Sequence, residues 1–248
     1  MRGFLLRLFL VASLALAERS WAAGVNFSWN ACTSEGGVQN KTFACNTNVG
    51  TVVMYGSFTL STDQSNFVGI EATVDIHTEG ASLPDWWQFL NANACRPSAM
   101  TTAFDFSGDP GTACHDPWAR LATGAVAAYH TYWTTPPAPS GNANEAQALL
   151  VAAVPSTSPQ HLVGGTEYYG FKLSMSLTNT VGTGACSGCS TPVCITLSKL
   201  TAVQSDNSQV ALTQPLTANV VTWQSPASCP GAGAAQNVTW GQVRSVLR

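Results

Sequence analysis

The sequence is poor in charge, since Asp, Glu, Lys and Arg make up only 9% of its 248 residues. It has no cluster of basic residues, and its formal net charge is -3. Such a balance argues against nucleic acid and anionic membranes as partners. The surface must then be built mainly from Ser, Thr, Asn, Gln and Gly, which is typical of extracellular β proteins.

Short catalytic motifs are also missing. The chain contains no Gly-x-Ser-x-Gly elbow, no His-Glu-x-x-His pair and no glycine-rich phosphate loop. Triads assemble from residues distant in sequence, so this absence excludes only enzymes that depend on local motifs. We expect a protein without catalytic activity, and a secreted hydrolase is the alternative.

Long apolar runs are confined to the first residues. A basic start precedes an apolar run from Leu8 to Ala17, about half the length of a membrane span. Small residues at Ser20 and Ala22 form a signal-peptidase cleavage pattern, and Ala15 and Ala17 form a second choice. The pattern predicts a secretory signal peptide and no membrane span.

The predicted division is a signal peptide over 1–22, a β-sandwich domain over 23–236 and a short amphipathic helix over 237–248. The helix would carry Trp240, Val243 and either Val246 or Leu247 on one side. The first cysteine, Cys32, lies well past the apolar run, so we expect no lipoprotein anchor. The expected location is secreted or periplasmic.

Alternation of apolar and polar residues is the strongest periodic signal. It covers residues 51–60, 68–79 and 166–180, where it predicts half-buried strands. Less regular strands are predicted at 121–133, 147–154, 193–203, 208–213 and 218–224, and one or two helical turns at 83–90. The pattern indicates an all-β fold, an antiparallel β-sandwich of Ig-like or jelly-roll type stapled by disulfides.

An even number of cysteines in an exported chain predicts a disulfide framework. The eight are Cys32, Cys45, Cys95, Cys114, Cys186, Cys189, Cys194 and Cys229. Short loops favour the pairs Cys32–Cys45 and Cys95–Cys114. One of the three cysteines in "GACSGCSTPVC" (184–194) is expected to reach Cys229, and the other two to pair locally.

The three-cysteine stretch has two further interpretations. A zinc knuckle uses close cysteine pairs, but only one Cys-x-x-Cys is present here. A redox pair opens a helix, whereas this stretch leads into a predicted strand. A structural clasp is therefore the favoured interpretation.

Two polar groups are candidates for chemistry. One face of the 68–79 strand carries Asp75, His77 and Glu79, and Glu71 lies earlier on the same face. In the alternative hydrolase these side chains would act as general acid and base. The simpler interpretation is a solvated strand face. The loop 105–116 forms the second group.

That loop carries the oxygen ligands Asp105, Asp109 and Asp116 beside His115, a spacing that structural calcium can use. Asp followed by Pro or Gly is also ordinary turn chemistry. We expect no cofactor, and calcium is left as an open alternative.

Aromatic residues give the main hint of binding. Trp86, Trp87, Trp118, Tyr129 and Trp133 are candidate ligand-binding aromatics, because exposed aromatic rings stack on sugar rings. Buried core positions are nevertheless the favoured expectation for most of the tryptophans.

The segments "GVNFSWNAC", "KTFACNTN", "YYGFKLSMSLTNTVGTGACSGCSTPVC" and "TWGQVRSVLR" resemble a group of uncharacterised secreted bacterial proteins. At fold level only, the chain is similar to cohesin-like and other Ig-like sandwiches. The resemblance transfers no catalytic residues.

These observations predict an exported binding or structural module that recognises a surface glycan or an extracellular protein. A purely structural component of the envelope is a further alternative. The sequence does not indicate an oligomeric state.

Overall fold

The computed structural model describes residues 21–89, 94–130, 143–224 and 229, the side chains of 128–130 excepted. In chain order the strands are β1 (Gly24–Trp29), β2 (Asn40–Lys41), β3 (Thr51–Thr59), β4 (Gln64–His77), β5 (Met100–Ala103), β6 (Cys114–His115), β7 (Thr123–His130), β8 (Glu145–Ala153), β9 (Gln160–Leu162), β10 (Glu167–Ser176), β11 (Val193–Gln204), β12 (Gln209–Leu212) and β13 (Val220–Trp223). Short 3-10 turns occur at Thr33–Glu35 and Asp85–Trp87.

The strands form two sheets. The smaller has the order β1-β3-β10-β5, with β6 beside β10, and the larger has the order β2-β13-β11-β4-β8-β7, with β9 on β4 and β12 on β11. Their apolar faces contribute to one continuous core. The predicted all-β antiparallel sandwich is confirmed. The helix predicted over 237–248, and residues 1–20 of the predicted leader, lie outside the described residues.

The alternating sequence of β4 explains its place at the centre of the larger sheet. Ile70, Ala72, Val74 and Ile76 are each at most 3% exposed and face the core. The side chains between them point to the opposite face of the sheet, because successive residues of a strand alternate.

No helix of the described ranges is long and apolar enough to cross a membrane.

A β-bulge changes the face of one residue in β10. The sequence places Tyr169 on the same face as Phe171, but the pairing with β3 shifts between these two residues. A bulge adds one residue to one strand and so reverses the alternation. Tyr169 therefore turns to the outer face, where its ring stacks on Phe106 with centroids 4.4 Å apart.

The two ends of the sandwich differ. One end of the sandwich contains the last residues of β1 and β10. Three disulfides lie there, and we call it the Cys-rich end. We call the other end, with the β3–β4 connection 60–63 and the loop 154–166, the turn end.

Gly56 of β3 is a position where the core accepts no side chain. A Cβ there would lie 2.4 Å from the ring of Phe171, which is fully buried. We expect Gly56→Ala to cost about 1–3 kcal/mol, because the ring has no free space to move into. Gly108→Ala is the matched control, since a Cβ there meets nothing within 4 Å. Urea unfolding under non-reducing conditions measures both, and equal midpoints for the two variants would contradict this packing.

Candidate functional site

The three-cysteine segment 186–194 is joined to three different parts of the chain. Its disulfides are Cys95–Cys186, Cys45–Cys189 and Cys194–Cys229, and a fourth bond is Cys32–Cys114. The prediction that one of the three cysteines is bonded to Cys229 is confirmed, and that cysteine is Cys194. The predicted pairs Cys32–Cys45 and Cys95–Cys114 are wrong, as is the local pair within the segment.

The local pairs fail because closeness in sequence is not closeness in space. The turn Thr33–Glu35 carries Cys32 to the outer face of the smaller sheet, where β6 pairs in parallel with β10 and presents Cys114. Cys45 instead follows the short β2, which pairs with β13 in the larger sheet. All eight cysteines are in disulfides, so the zinc and redox interpretations have no thiolate to use.

Two candidate aromatics, Trp86 and Trp87, lie in the core at the Cys-rich end. Both are fully buried, and their rings contact Trp223 with centroids 4.9 Å and 5.4 Å away. The indole of Trp86 donates to Thr180 Oγ1 at 3.0 Å, and that of Trp87 to the Gly188 carbonyl at 3.2 Å. These two residues therefore offer no face to a ligand.

Arg96 is the cation of this aromatic cluster. It is 2% exposed, and its guanidinium carbon lies 3.6 Å from the ring centre of Trp86. It donates to the carbonyls of Trp86, at 2.7 Å, and of Ser176. Burial lowers the pKa of Arg96 to about 9, so it stays protonated at neutral pH. Arg96 thus links the 84–89 segment to the end of β10.

Of the other three candidate aromatics, the structure describes the side chain of Trp118 alone. Trp118 is fully buried and donates to the Gly170 carbonyl at 3.1 Å, so it too belongs to the core. Trp133 and the side chain of Tyr129 lie outside the described part, and their role as binding residues stays a prediction.

A strap covers the outer face of the smaller sheet. It consists of the turn Thr33–Glu35 and the loop 104–116, joined by Cys32–Cys114. Glu35 accepts hydrogen bonds from the backbone N–H groups of Thr112, Ala113 and Cys114 at 2.8–3.3 Å, and one from the hydroxyl of Tyr169. Burial opposes the charge, but these donors outweigh it and hold the pKa of Glu35 below its ordinary value.

Asp109 makes the second contact between the strap and the sheet. It accepts from the hydroxyl of Tyr55 at 2.7 Å and pairs with Lys172 Nζ at 2.5 Å. The ammonium of Lys172 also lies 5.0 Å from the ring centre of Phe106. Burial, and then the hydrogen bond to Asp109, raise the pKa of Tyr55, which keeps its phenol a proton donor.

The carboxylates considered as calcium ligands take separate partners. Asp105 accepts from the N–H of Ser107 and Asp116 from the N–H of Trp118, both at 2.9 Å, while Asp109 binds Lys172. The two former contacts are local turn hydrogen bonds. Among the described residues, the candidate ligand group is Cys32, Cys114 and Glu167, and both of its sulfurs are already in a disulfide.

The polar face of β4 is half-buried rather than open. Asp75 accepts from Gln147 at 2.7 Å, and His77 Nδ1 lies 3.4 Å from a carboxylate oxygen of Glu145. Burial raises the pKa of Asp75 although Gln147 donates to it. Glu79, which lies beyond the end of β4, is exposed. Asp75 and His77 thus lie on the same face of β4, whereas Glu79 lies outside the strand.

Exposed apolar side chains are concentrated at the turn end, which the sequence did not single out. In the part of the chain that the structure describes, the large exposed apolar residues are Trp21, Val38, Val49, Leu121 and Val163. Trp21 is 52% exposed. Its backbone N–H donates to the Ser61 carbonyl, and its ring lies over Gly165. Val163 belongs to the same loop as Gly165, and Leu121 precedes β7 at this end.

Two solved structures resemble the chain at the level of the fold. A cohesin module from a Clostridium perfringens ATCC13124 family 33 glycoside hydrolase matches with a TM-score of 0.37 and 8% identity, covering 82% of this chain and 98% of that one. The second type II cohesin module of the cellulosomal adaptor ScaA scaffoldin from Acetivibrio cellulolyticus gives 0.33 and 7%, covering 83% and 98%. The fold-level similarity to cohesin-like sandwiches agrees with expectation and carries no function.

The chain matches no protein-family model and no curated protein. Its four disulfides are bonds typical of an oxidising compartment.

The long-range disulfides can be checked directly. We expect that a non-reducing proteolytic digest of the native, disulfide-bonded protein yields cross-linked peptides joining Cys45 to Cys189 and Cys95 to Cys186. Alkylation before reduction should add no mass to the intact protein, because no thiol is free. A peptide joining Cys32 to Cys45 would show that the connectivity is wrong.

The strap predicts a pH-dependent stability. Because the folded-state pKa of Glu35 is lowered from 4.5, its charge stabilises the fold above that value, and the gain is lost as pH falls. Glu35→Gln should therefore lower the urea midpoint at about pH 7, and the deficit should shrink at about pH 3. Glu79→Gln is the control, since Glu79 is exposed. A deficit for E35Q that is equal at both pH values would rule out this role of the charge.

Proposed function

We propose that this protein is an exported, non-catalytic binding module that contacts its ligand at the turn end, and that the ligand is a surface glycan. The observation that carries the proposal is the placement of Trp21, Leu121 and Val163 at this end, three of the five large exposed apolar side chains among the described residues. Exposed apolar residues in one region mark binding surfaces more often than scattered ones do.

Trp21 favours a sugar over other ligands. Its ring lies against Gly165, where a Cβ would come within 2.6 Å of it, so the backbone supports the indole from one side. About half of the side chain stays open to solvent. A flat, supported indole complements the apolar C–H face of a pyranose ring. A protein partner that packs on Val163 and Leu121 is the alternative form of the same proposal.

The carboxylates support a role without catalysis. Glu35 and Asp109 hold the strap, Asp75 binds Gln147, and Glu167 accepts from Asn26 at 2.8 Å and from Ser57 at 2.5 Å. A general acid or base must face the substrate. These groups instead join one part of the chain to another.

The site of leader cleavage determines whether Trp21 takes part. Cleavage after Ala22, the position predicted first from the sequence, would remove it, whereas cleavage after Ala17, the second choice, would retain it. Amino-terminal sequencing of the exported protein distinguishes the two. The glycan form of the proposal requires that Trp21 be present.

A pair of matched variants tests the binding surface. The probes are insoluble cellulose, chitin and peptidoglycan, each mixed with the exported protein and assayed for retention. We expect retention on one of them, and Trp21→Ala should weaken it by about tenfold, or about 1.4 kcal/mol, because the stacking ring is lost. Val49→Ala is the control, since Val49 is 81% exposed at the Cys-rich end.

Retention on none of the three polysaccharides would contradict the glycan form, and so would equal effects of W21A and V49A.

A further inference from the structure

The turn that leads into β7 contains two adjacent residues in the left-handed region of backbone conformation. Ala119 has a φ of 49° and Arg120 has a φ of 62°. The N–H of Leu121 donates to the Trp118 carbonyl at 2.8 Å and closes the turn. Positive φ at both central positions is typical of a type I′ turn, in which Asn and Gly are preferred. Alanine and arginine are strained there, because the Cβ atom of an L-residue crowds the neighbouring carbonyl.

The turn keeps this geometry because the residues before it are held in place. Trp118 is fully buried, its indole N–H donates to the Gly170 carbonyl at 3.1 Å, and its ring contacts Phe67. The carboxylate of Asp116 accepts from the backbone N–H of Trp118 at 2.9 Å. Strained residues persist where the surrounding structure holds them, and they cluster at functional sites. The strain therefore indicates that a side chain of this turn has a function.

The side chain that the turn presents to solvent is that of Arg120. Arg120 and its neighbour Leu121 are both exposed, and Leu121 is one of the three apolar residues of the turn end. Arg120 takes part in no ion pair among the described residues. The pKa of Asp105 is lowered mainly by hydrogen bonds from Ser107 and to a smaller degree by the charge of Arg120. The guanidinium is therefore available to a ligand.

The other cations of the described part are buried, half-buried or paired. Arg96 is buried and donates to carbonyls, and Lys172 pairs with a carboxylate. Lys41 donates to a side-chain amide oxygen at 2.7 Å, and Lys199 is half-buried in β11. With a net charge of -3 the chain does not attract anions in general, so an anionic ligand needs a cation at its binding site. Arg120 meets that requirement at the turn end.

We propose that the glycan recognised at the turn end carries carboxylates and that the guanidinium of Arg120 binds one of them. The inference rests on the function proposed above and specifies the chemistry of the ligand. Arginine presents a planar fork of N–H donors that matches a carboxylate bidentately. Leu121, the next residue, adds exposed apolar surface. Of the three probes, cellulose and chitin are neutral, whereas peptidoglycan carries carboxylates on its peptide stems, so peptidoglycan is the expected ligand.

Amidation of the polysaccharide tests the contact with a carboxylate. Carbodiimide coupling with ammonia converts the carboxylates of peptidoglycan to neutral amides and leaves its sugar chain intact. We expect the native, disulfide-bonded protein to be retained on untreated peptidoglycan. Retention should fall about tenfold after amidation, because the charge-assisted hydrogen bonds are lost. Retention on chitin, which has no carboxylate, should be as weak as on the amidated material.

A matched pair of glycine variants separates the cation from the strain of the turn. Arg120→Gly and Ala119→Gly each place a glycine where φ is positive, so both should raise the midpoint of urea unfolding. R120G also removes the guanidinium and should weaken retention on peptidoglycan about tenfold, whereas A119G should leave it within about twofold of the parent. Lys41→Ala removes a positive charge from β2, far from the turn end, and should also leave retention within about twofold.

The outcomes distinguish a failure of this inference from a failure of the proposed function. Equal retention on amidated and untreated peptidoglycan, or equal retention of R120G and A119G, would overturn the inference and leave a glycan-binding module. Retention on cellulose or chitin without retention on peptidoglycan would do the same. Retention on none of the three probes would contradict the proposed function, and the carboxylate contact with it.

Discussion

The attachment of one nine-residue stretch to three distant segments is the constraint on which the Cys-rich end depends. Cys186, Cys189 and Cys194 are bonded to partners that are 91, 144 and 35 residues away in sequence. A single bond closing a loop of about 100 residues is worth about 4.7 kcal/mol in the chain-entropy model, although such terms do not simply add. These bonds hold loop segments over the core, so Trp86 and Trp87 are buried although they lie outside any strand.

The chain uses several of its few charges inside the structure rather than on its surface. Arg96 joins carbonyls of two segments beneath the disulfides, and Lys172 and Asp109 attach the strap to the smaller sheet. The carboxylate of Glu35 accepts hydrogen bonds from three backbone N–H groups of the strap. Burying a charge is costly unless it is compensated by pairing or hydrogen bonds. Lys172 and Asp109 form an ion pair, whereas Arg96 and Glu35 are held by hydrogen bonds to carbonyls and to N–H and O–H groups. The buried charges and the disulfide framework thus both hold loop segments against the sheets.

Local sequence patterns predicted the strands well where one face is apolar and the other polar. The alternation over 68–79 and 166–180 matches β4 and β10 closely, because side-chain period is a property of the strand itself. The strand β1 was not predicted, although Val25, Phe27 and Trp29 alternate with Asn26 and Ser28 in the same way. The bulge at Gly170 could not be predicted, because it depends on pairing with β3. The sequence favoured core positions for most tryptophans, and Trp86, Trp87 and Trp118 agree with this, but it did not show which tryptophans are buried, because composition does not show which loop covers which end.

By itself, the sequence determined the fold class and the presence of a disulfide framework. Period-two patterning and an even cysteine number depend only on neighbouring residues and on composition. Only the tertiary structure decided the disulfide partners, the burial of the tryptophans, the covering strap and the exposed residues of the turn end. Each of these depends on contacts between residues tens of positions apart, and the free energy of such contacts is set by the packing of both sheets at once rather than by any local pattern.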